Sequence, residues 1–128
     1  MGYSQTWVAV EEGSTKILGY ISISMGSVSF EAIGAEERSR LPRYPMPVLH
    51  IGRLATDLEY QGRGVAKSLL RFVLLKAREV SVSLGCYAVE IVARDEVVRD
   101  YYLRFGFAPL SEGSLNLYLP ISAIDAAL

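Results

Sequence analysis

Residues 61–66 read Gln-Gly-Arg-Gly-Val-Ala, and this turn separates two segments with different hydrophobic patterns. Before it, residues 48–56 are almost all apolar, which is typical of a strand buried on both faces. After it, apolar residues recur at three- and four-residue spacing from Ala66 to Val80, which predicts an amphipathic helix. Residues 86–93 are apolar again. The unit is therefore a strand, a glycine-rich turn, a helix and a second buried strand.

The glycine-rich turn has the chemistry of a phosphate-binding site. The first amides of a helix have no partner within the helix, and the helix dipole adds positive charge, so phosphate oxygens bind there. Glycines at 62 and 64 permit a sharp turn and a close approach to a ligand, while Arg63 and Lys67 supply countercharge. The spacing fits neither a P-loop nor a dinucleotide fingerprint. A tight connection without a ligand is the alternative interpretation.

The flanking segments complete a mixed α/β domain. Residues 6–10 and 17–24 alternate between β-branched or aromatic residues and small or polar ones, which predicts a hairpin. Asp95 is placed to cap a second helix, and Gly106 to end it. The remaining predicted features are an extension of the second strand toward residue 30, a long loop at 31–47, a strand at 115–121 and a loose or short helical end. The two buried strands form a parallel pair through a right-handed crossover.

Composition limits the class of protein. A chain of 128 residues that is 51% hydrophobic supports one core, so we expect a single domain over residues 1–128. One cysteine, Cys86, excludes an internal disulfide, and we find neither a secretory leader nor about 20 consecutive apolar residues. We therefore expect a cytoplasmic protein with no membrane partner. The net charge of -1 gives no overall attraction to nucleic acid. The stretch that carries Arg38, Arg40, Arg43 and Arg53 is nevertheless locally basic.

Residues 48–107 resemble the GCN5-related N-acetyltransferase (GNAT) family in two motifs. The first is Gln/Arg-x-x-Gly-x-Gly/Ala, matched by residues 61–66. The second is the aromatic-Tyr-x-x-x-Gly-Phe end of a helix, matched by Tyr-Tyr-Leu-Arg-Phe-Gly-Phe at 101–107. The sequences at 53–57 and 26–28 are similar to the branch that contains toxins of toxin–antitoxin pairs. Those toxins acetylate the amino group of aminoacyl-tRNA.

The resemblance implies the GNAT-like acyl-CoA N-acyltransferase fold, with the cofactor-binding unit at 48–107 and acetyl-CoA as cofactor. Main-chain amides of 62–66 would bind the pyrophosphate, and the strand at 54–56 would pair with the pantetheine arm. Tyr102 would act as general acid on the departing thiolate while a neutral amine attacks directly; a core tyrosine is the alternative. No metal is expected. The implied cofactor-binding residues are Leu54, Ala55, Thr56, Gln61, Gly62, Arg63, Gly64, Val65, Ala66 and Lys67.

The acceptor side of the site rests on fewer residues. We assign Glu90 and Arg53 to acceptor binding, because a carboxylate in an apolar strand must face a cleft or find a partner. His50 lies on the other central strand, and we leave it outside the catalytic set as a packed strand residue. No residue is assigned as the base.

Three functions remain open at this point. The first is acetylation of a small primary amine, the second is toxin-type acetylation of aminoacyl-tRNA, and the third is acyl-CoA binding by a non-catalytic remnant. The remnant is considered because family members begin with a strand and two helices on the acceptor side, which we expect this chain to lack. A homodimer would complete such a site, and an antitoxin protein is the partner that the toxin branch implies.

Overall fold

The computed structural model describes residues 4–28 and 46–128, which form a six-stranded mixed sheet with helices. Most of the predicted loop at 31–47 lies outside the described residues, and so do Arg38, Arg40 and Arg43. The strands are β1 (Gln5–Val10), β2 (Ile17–Val28), β3 (Met46–Thr56), β4 (Ala88–Val92), β5 (Ala108–Pro109) and β6 (Asn116–Pro120). The α-helices are α1 (Val65–Ser83), α2 (Glu96–Phe105) and α3 (Ile124–Ala127), with 3-10 turns at Leu58–Tyr60 and Ile121–Ala123.

The sheet order is β1-β2-β3-β4-β6-β5. β3 and β4 are parallel, and α1 connects them as the crossover helix. Every other neighbouring pair of strands in this sheet is antiparallel. The predicted fold class and the strand–turn–helix–strand unit are confirmed. Within the described ranges, no helix combines the length and the apolar character needed to cross a membrane.

One face of the sheet carries the main hydrophobic core. Leu70, Val73 and Leu74 on α1 are fully buried and belong to the same cluster as Leu49 and Ile51 on β3. This follows from the two periodicities, since every second strand residue and every third or fourth helix residue points to the interface. Burial of each such side chain contributes about 1.5–3 kcal/mol of hydrophobic free energy. A second, smaller cluster contains Met46, Val48, Ala88 and Tyr118.

The parallel pairing of β3 and β4 ends early. It runs from Val48 opposite Ala88 to Ile51 opposite Ile91, although β3 continues for five more residues to Thr56. At this point Gly52 has no partner in the register between β2 and β3, so the strand contains a β-bulge. Beyond the bulge, β3 pairs only with β2. Every second residue of 53–56 therefore directs its main-chain N–H and C=O toward the gap between β3 and β4.

Local signals in the sequence agree with the observed helix ends. Asp95 accepts a hydrogen bond from the amide of Val98 at 2.9 Å, and Gly106 ends α2 with its amide bonded to Leu103 and Tyr102, as predicted. α1 ends at Ser83, two residues before Gly85. The sequence placed the start of β3 two residues late, and it gave no indication of β5 or of the bulge.

We expect Gly19→Ala to lower the free energy of unfolding by about 1–3 kcal/mol through overpacking. A Cβ atom at Gly19 would lie 2.7 Å from the Ala55 carbonyl oxygen and 2.9 Å from Cγ1 of Val65. Gly26 lies on the same strand and is the matched control, since its Cβ would approach no atom closer than 3.9 Å. Urea unfolding of both variants measures the difference. Equal stability of Gly19→Ala and Gly26→Ala would contradict the proposed close contact.

Candidate active site

The glycine-rich turn has backbone conformations that explain its sequence. Gly62 and Gly64 have φ angles of 80° and 81°, in the left-handed region that side chains rarely adopt. A Cβ atom at either position would meet nothing within 4 Å. The glycines are therefore required by backbone conformation, and the space above them is open to a ligand.

The helix that follows this turn begins without a protein cap. Gly64 is the N-cap residue of α1 and provides no side chain, and the first turn contains no acidic residue. The first intrahelical hydrogen bond runs from the Ser68 amide to the Gly64 carbonyl at 2.9 Å. Within residues 4–28 and 46–128, the preceding amides of Val65, Ala66 and Lys67 have no hydrogen-bond acceptor. Such donors form an anion-binding position at a helix N-terminus.

Tyr60 anchors the residues just before the glycines. Its carbonyl accepts a hydrogen bond from the Arg63 amide at 3.3 Å, so that amide is engaged within the turn. The Arg63 guanidinium lies 5.0 Å from the Tyr60 ring centroid, and the Lys16 ammonium lies 4.9 Å from it. Lys16 also forms an ion pair with Glu59 at 3.0 Å. Cation–π contacts at this range add a modest attraction, so these cations hold the ring that precedes the turn.

A cleft of about 870 Å³ lies in front of the turn and along the unpaired part of β3. Nine of the ten cofactor-binding residues predicted from the sequence line it, and Arg63 is the exception. Its charged lining consists of Lys67, Arg94 and Arg104, with no carboxylate among the described lining residues. The cleft is therefore suited to a polyphosphate with an apolar arm. Its lining is Leu54, Ala55, Thr56, Tyr60, Gln61, Gly62, Gly64, Val65, Ala66, Lys67, Arg94, Val97, Val98, Tyr101, Tyr102 and Arg104.

A second cavity of about 300 Å³ adjoins this cleft. The two share Leu54, Arg94, Val98 and Tyr102, so they meet at the gap between β3 and β4. Arg53, which the sequence assigned to the acceptor side, lines the second cavity and not the larger cleft. The other residues that line it are Tyr20, Gly52, Ile91 and Val92. Two cavities with a common wall are the arrangement that a transfer between two substrates requires.

Tyr102 belongs to the core and also lines both cavities. Its side chain is 4% exposed and makes edge-on contacts with Tyr101 and Phe107, with ring centroids 5.3 Å and 5.6 Å apart. Burial raises the pKa of Tyr102 to about 12, and Tyr101 contributes in the same direction. The phenol is therefore uncharged near neutral pH and retains a proton that it can donate.

Glu90 lies outside both cavities and has a partner. Its Oε1 atom lies 2.9 Å from Nδ1 of His50, which stands directly opposite it on the parallel strand β3. The sequence indicated that a carboxylate on this strand needs a cleft or a partner, and the structure supplies the partner. The sequence did not predict this particular pair, because His50 and Glu90 are 40 residues apart and meet only through strand register.

Other lining residues were missed by the sequence. Arg94 lies two residues after the end of β4, and Arg104 lies in the last turn of α2. The sequence carried one signal for Arg94. The carboxyl ends of parallel strands lie at the same edge of a sheet, so a residue shortly after β4 lies near the turn that follows β3. Gly52 had no local signal, because a bulge is defined only by its partner strand.

Comparison with known proteins places these features in context. Residues 2–109 match the family model described as Acetyltransferase (GNAT) domain. The chain is 30% identical over 118 residues to the tRNA-acetylating toxin of Mycobacterium tuberculosis (strain ATCC 25618 / H37Rv), covering 92% of this chain and 69% of that protein.

Two solved structures show the same fold. A crystal structure of a tyrosine-to-phenylalanine mutant of KacT matches with a TM-score of 0.90 at 25% identity, and the match covers 98% of this chain and 76% of the KacT chain. A structure of AtaT complexed with acetyl-methionyl-tRNAfMet matches with a TM-score of 0.88 at 21% identity, and the match covers 97% of this chain and 75% of the AtaT chain.

Proposed function

Because this chain belongs to the GNAT family of acetyltransferases and is an acetyl-CoA-dependent N-acyltransferase, we propose that its acceptor is the α-amino group of an aminoacyl-tRNA. The observation that carries the proposal is the pair of adjoining cavities that meet at Tyr102. The larger one has the free helix amides and basic lining that suit acetyl-CoA. The smaller one has two arginines, Arg53 and Arg94, that suit a polyanionic acceptor.

Acetyl-CoA binding is proposed to use main-chain groups above all. The pyrophosphate fits the unpaired amides of Val65, Ala66 and Lys67, with Gly62 and Gly64 permitting its close approach. The amide-containing pantetheine arm fits the unpaired edge of β3 at residues 54–56, where it would take the place of a neighbouring strand. This mode of binding explains why an open edge persists in the middle of the sheet.

Tyr102 is proposed to protonate the sulfur as the thioester breaks. The neutral amine attacks the carbonyl carbon, an N–H of β3 near Leu54 or Ala55 stabilises the oxyanion, and the Tyr102 hydroxyl donates to the departing sulfur. The high pKa of Tyr102 does not oppose this step, because burial also raises the pKa of thiols. The Cys86 thiol of this protein is an example, since desolvation raises its pKa. The phenol and the leaving thiolate are thus shifted in the same direction.

The choice of acceptor rests on charge and on relatives. Arg53 and Arg94 line the second cavity, and no carboxylate is among its described lining residues. Arg94 also forms an ion pair with Asp95 at 3.6 Å, and both of these side chains are exposed. Arginine forms bidentate, charge-assisted hydrogen bonds to phosphate, so this cavity favours an amine attached to a phosphodiester chain. The M. tuberculosis relative is named as a tRNA-acetylating toxin. A small primary amine is the second candidate acceptor, and an antitoxin protein and a homodimer remain predictions from the sequence.

We expect Gly64→Ala to weaken acetyl-CoA binding by about 10- to 100-fold, equivalent to the loss of one hydrogen bond to a charged group. The new side chain would strain the left-handed backbone and obstruct the approach of the pyrophosphate. Gly13→Ala is the matched control, because Gly13 has a φ of 78° with equally open surroundings but lies in the β1–β2 hairpin. Calorimetric titration with acetyl-CoA should show a change for Gly64→Ala alone. Equal affinities for both variants would remove the turn from the cofactor site.

We expect Tyr102→Phe to lower kcat by about 10²- to 10⁴-fold while the Kd for acetyl-CoA stays within a few-fold, because only the donated proton is lost. Tyr101→Phe is the matched control, since Tyr101 lines the larger cleft but not the second cavity. Release of free coenzyme A thiol reports turnover. A Tyr102→Phe enzyme as fast as Tyr101→Phe would reassign Tyr102 to the core.

The acceptor is tested with aminoacyl-tRNA, the matching free amino acid ester and a panel of small amines. We expect kcat/KM for aminoacyl-tRNA to exceed that for the ester by about 100-fold, as two arginine–phosphate contacts would provide, and to fall as salt rises. Transfer of labelled acetyl groups to each purified acceptor measures kcat/KM and its dependence on salt. Equal values for tRNA and ester would favour a small amine, and binding of acetyl-CoA without any transfer would favour the non-catalytic remnant.

A further inference from the structure

The His50–Glu90 pair lies close to the proposed acceptor cavity. Two residues farther along each strand are Gly52 and Val92, and both of these line that cavity. Two strand residues span about 6.6 Å, so the pair lies within reach of the cavity through one water molecule. Leu49 and Ile51 point into the main core, so His50 between them points to the opposite face of the sheet.

The hydrogen bond fixes where the proton of the imidazole resides. A carboxylate only accepts hydrogen bonds, so Nδ1 of His50 donates to Oε1 of Glu90 at 2.9 Å. The other ring nitrogen, Nε2, then carries a lone pair and can accept a proton. His50 is 33% exposed at its side chain, which leaves the ring accessible, whereas Glu90 is only 14% exposed and needs a partner.

The surroundings of the pair add few competing charges. Ser24 stands opposite His50 on β2, and Tyr118 stands opposite Glu90 on β6. The nearest described basic residue along β3 is Arg53, which lines the acceptor cavity. Glu90 is thus the carboxylate that orients the imidazole.

We propose that His50, oriented by Glu90, accepts the proton that the attacking amine releases. The inference rests on the proposed function, because it needs an amine in the second cavity. The C–N bond forms as the nitrogen lone pair attacks the carbonyl carbon, and the N–H proton passes through a water molecule to Nε2 of His50. The C–S bond then breaks, and the sulfur receives the proton of the Tyr102 hydroxyl. The imidazolium releases its proton to solvent, and the Tyr102 phenolate takes one up.

This assignment separates the acid from the base. Tyr102 belongs to the core cluster on the helical face of the sheet, whereas His50 points to the other face. The proton donor for the sulfur and the proton acceptor for the amine therefore approach from opposite sides of the gap between β3 and β4. Glu90 acts as a positioning residue, and His50 is the proton acceptor.

The test is the rate–pH profile of His50→Gln and Glu90→Gln with the acceptor that the wild type acetylates best. The glutamine at 50 still donates a hydrogen bond to Glu90 but accepts no proton, so we expect kcat to fall about 10²- to 10⁴-fold. We also expect its rate to keep rising with pH where the wild-type rate levels off, because hydroxide replaces the imidazole. Glu90→Gln should lose less activity, and the Kd for acetyl-CoA should stay unchanged in both variants.

Ser24→Ala is the control variant, since Ser24 stands opposite His50 on the neighbouring strand β2 and has no assigned role. We expect its rate and pH profile to match the wild type. Wild-type turnover with an unaltered pH profile in His50→Gln would overturn this inference and leave the proposed function intact. Absence of turnover in the wild type would overturn both. If His50→Gln does not fold, as judged by circular dichroism, an unchanged profile in Glu90→Gln would still refute the orienting role on which the inference depends.

Discussion

The whole site depends on the end of hydrogen bonding between β3 and β4 after Ile51 and Ile91. A parallel sheet normally satisfies its main-chain groups continuously, and an unpaired buried group costs about 1–3 kcal/mol. This protein instead opens its sheet at the bulge of Gly52 and leaves a cleft along the edge of β3. The core beneath α1 stabilises the closed half of the sheet. The open half provides main-chain groups for a ligand.

The helix N-terminus and the open edge form one continuous binding surface because they are close in sequence. Only a 3-10 turn at Leu58–Tyr60 and the glycine turn separate the end of β3 from the start of α1. Asp57 caps that 3-10 turn through the amide of Glu59 at 2.9 Å, and the cations around Tyr60 hold it in place. A short connection therefore sets the distance between the unpaired amides of α1 and the unpaired edge of β3, the two groups that we propose bind the pyrophosphate and the pantetheine arm.

Local chemistry explains which parts of this fold the sequence predicted. Glycine spacing, helical periodicity and the Asp95 cap all act within a few residues, so they identified α1, α2 and the glycine-rich turn that lines the cleft. The strand residues 54–56 of the cleft were implied by the resemblance to the GNAT family and by no local pattern. The bulge at Gly52, the contribution of Arg104 and the pairing of His50 with Glu90 depend on contacts between distant segments. Strand register sets the bulge and the His50–Glu90 pair, whereas the packing of α2 sets the position of Arg104, and no pattern within a single segment reports either.

The common wall between the two cavities has a kinetic consequence. Leu54, Arg94, Val98 and Tyr102 line both spaces, so a ligand in the larger cleft would border the smaller one. We therefore expect the proposed acceptor pocket to be complete only when acetyl-CoA is in place, which favours an ordered, sequential mechanism through a ternary complex. The one cysteine, Cys86, precedes β4 at the end remote from this wall, so the geometry offers it no part in a double-displacement route.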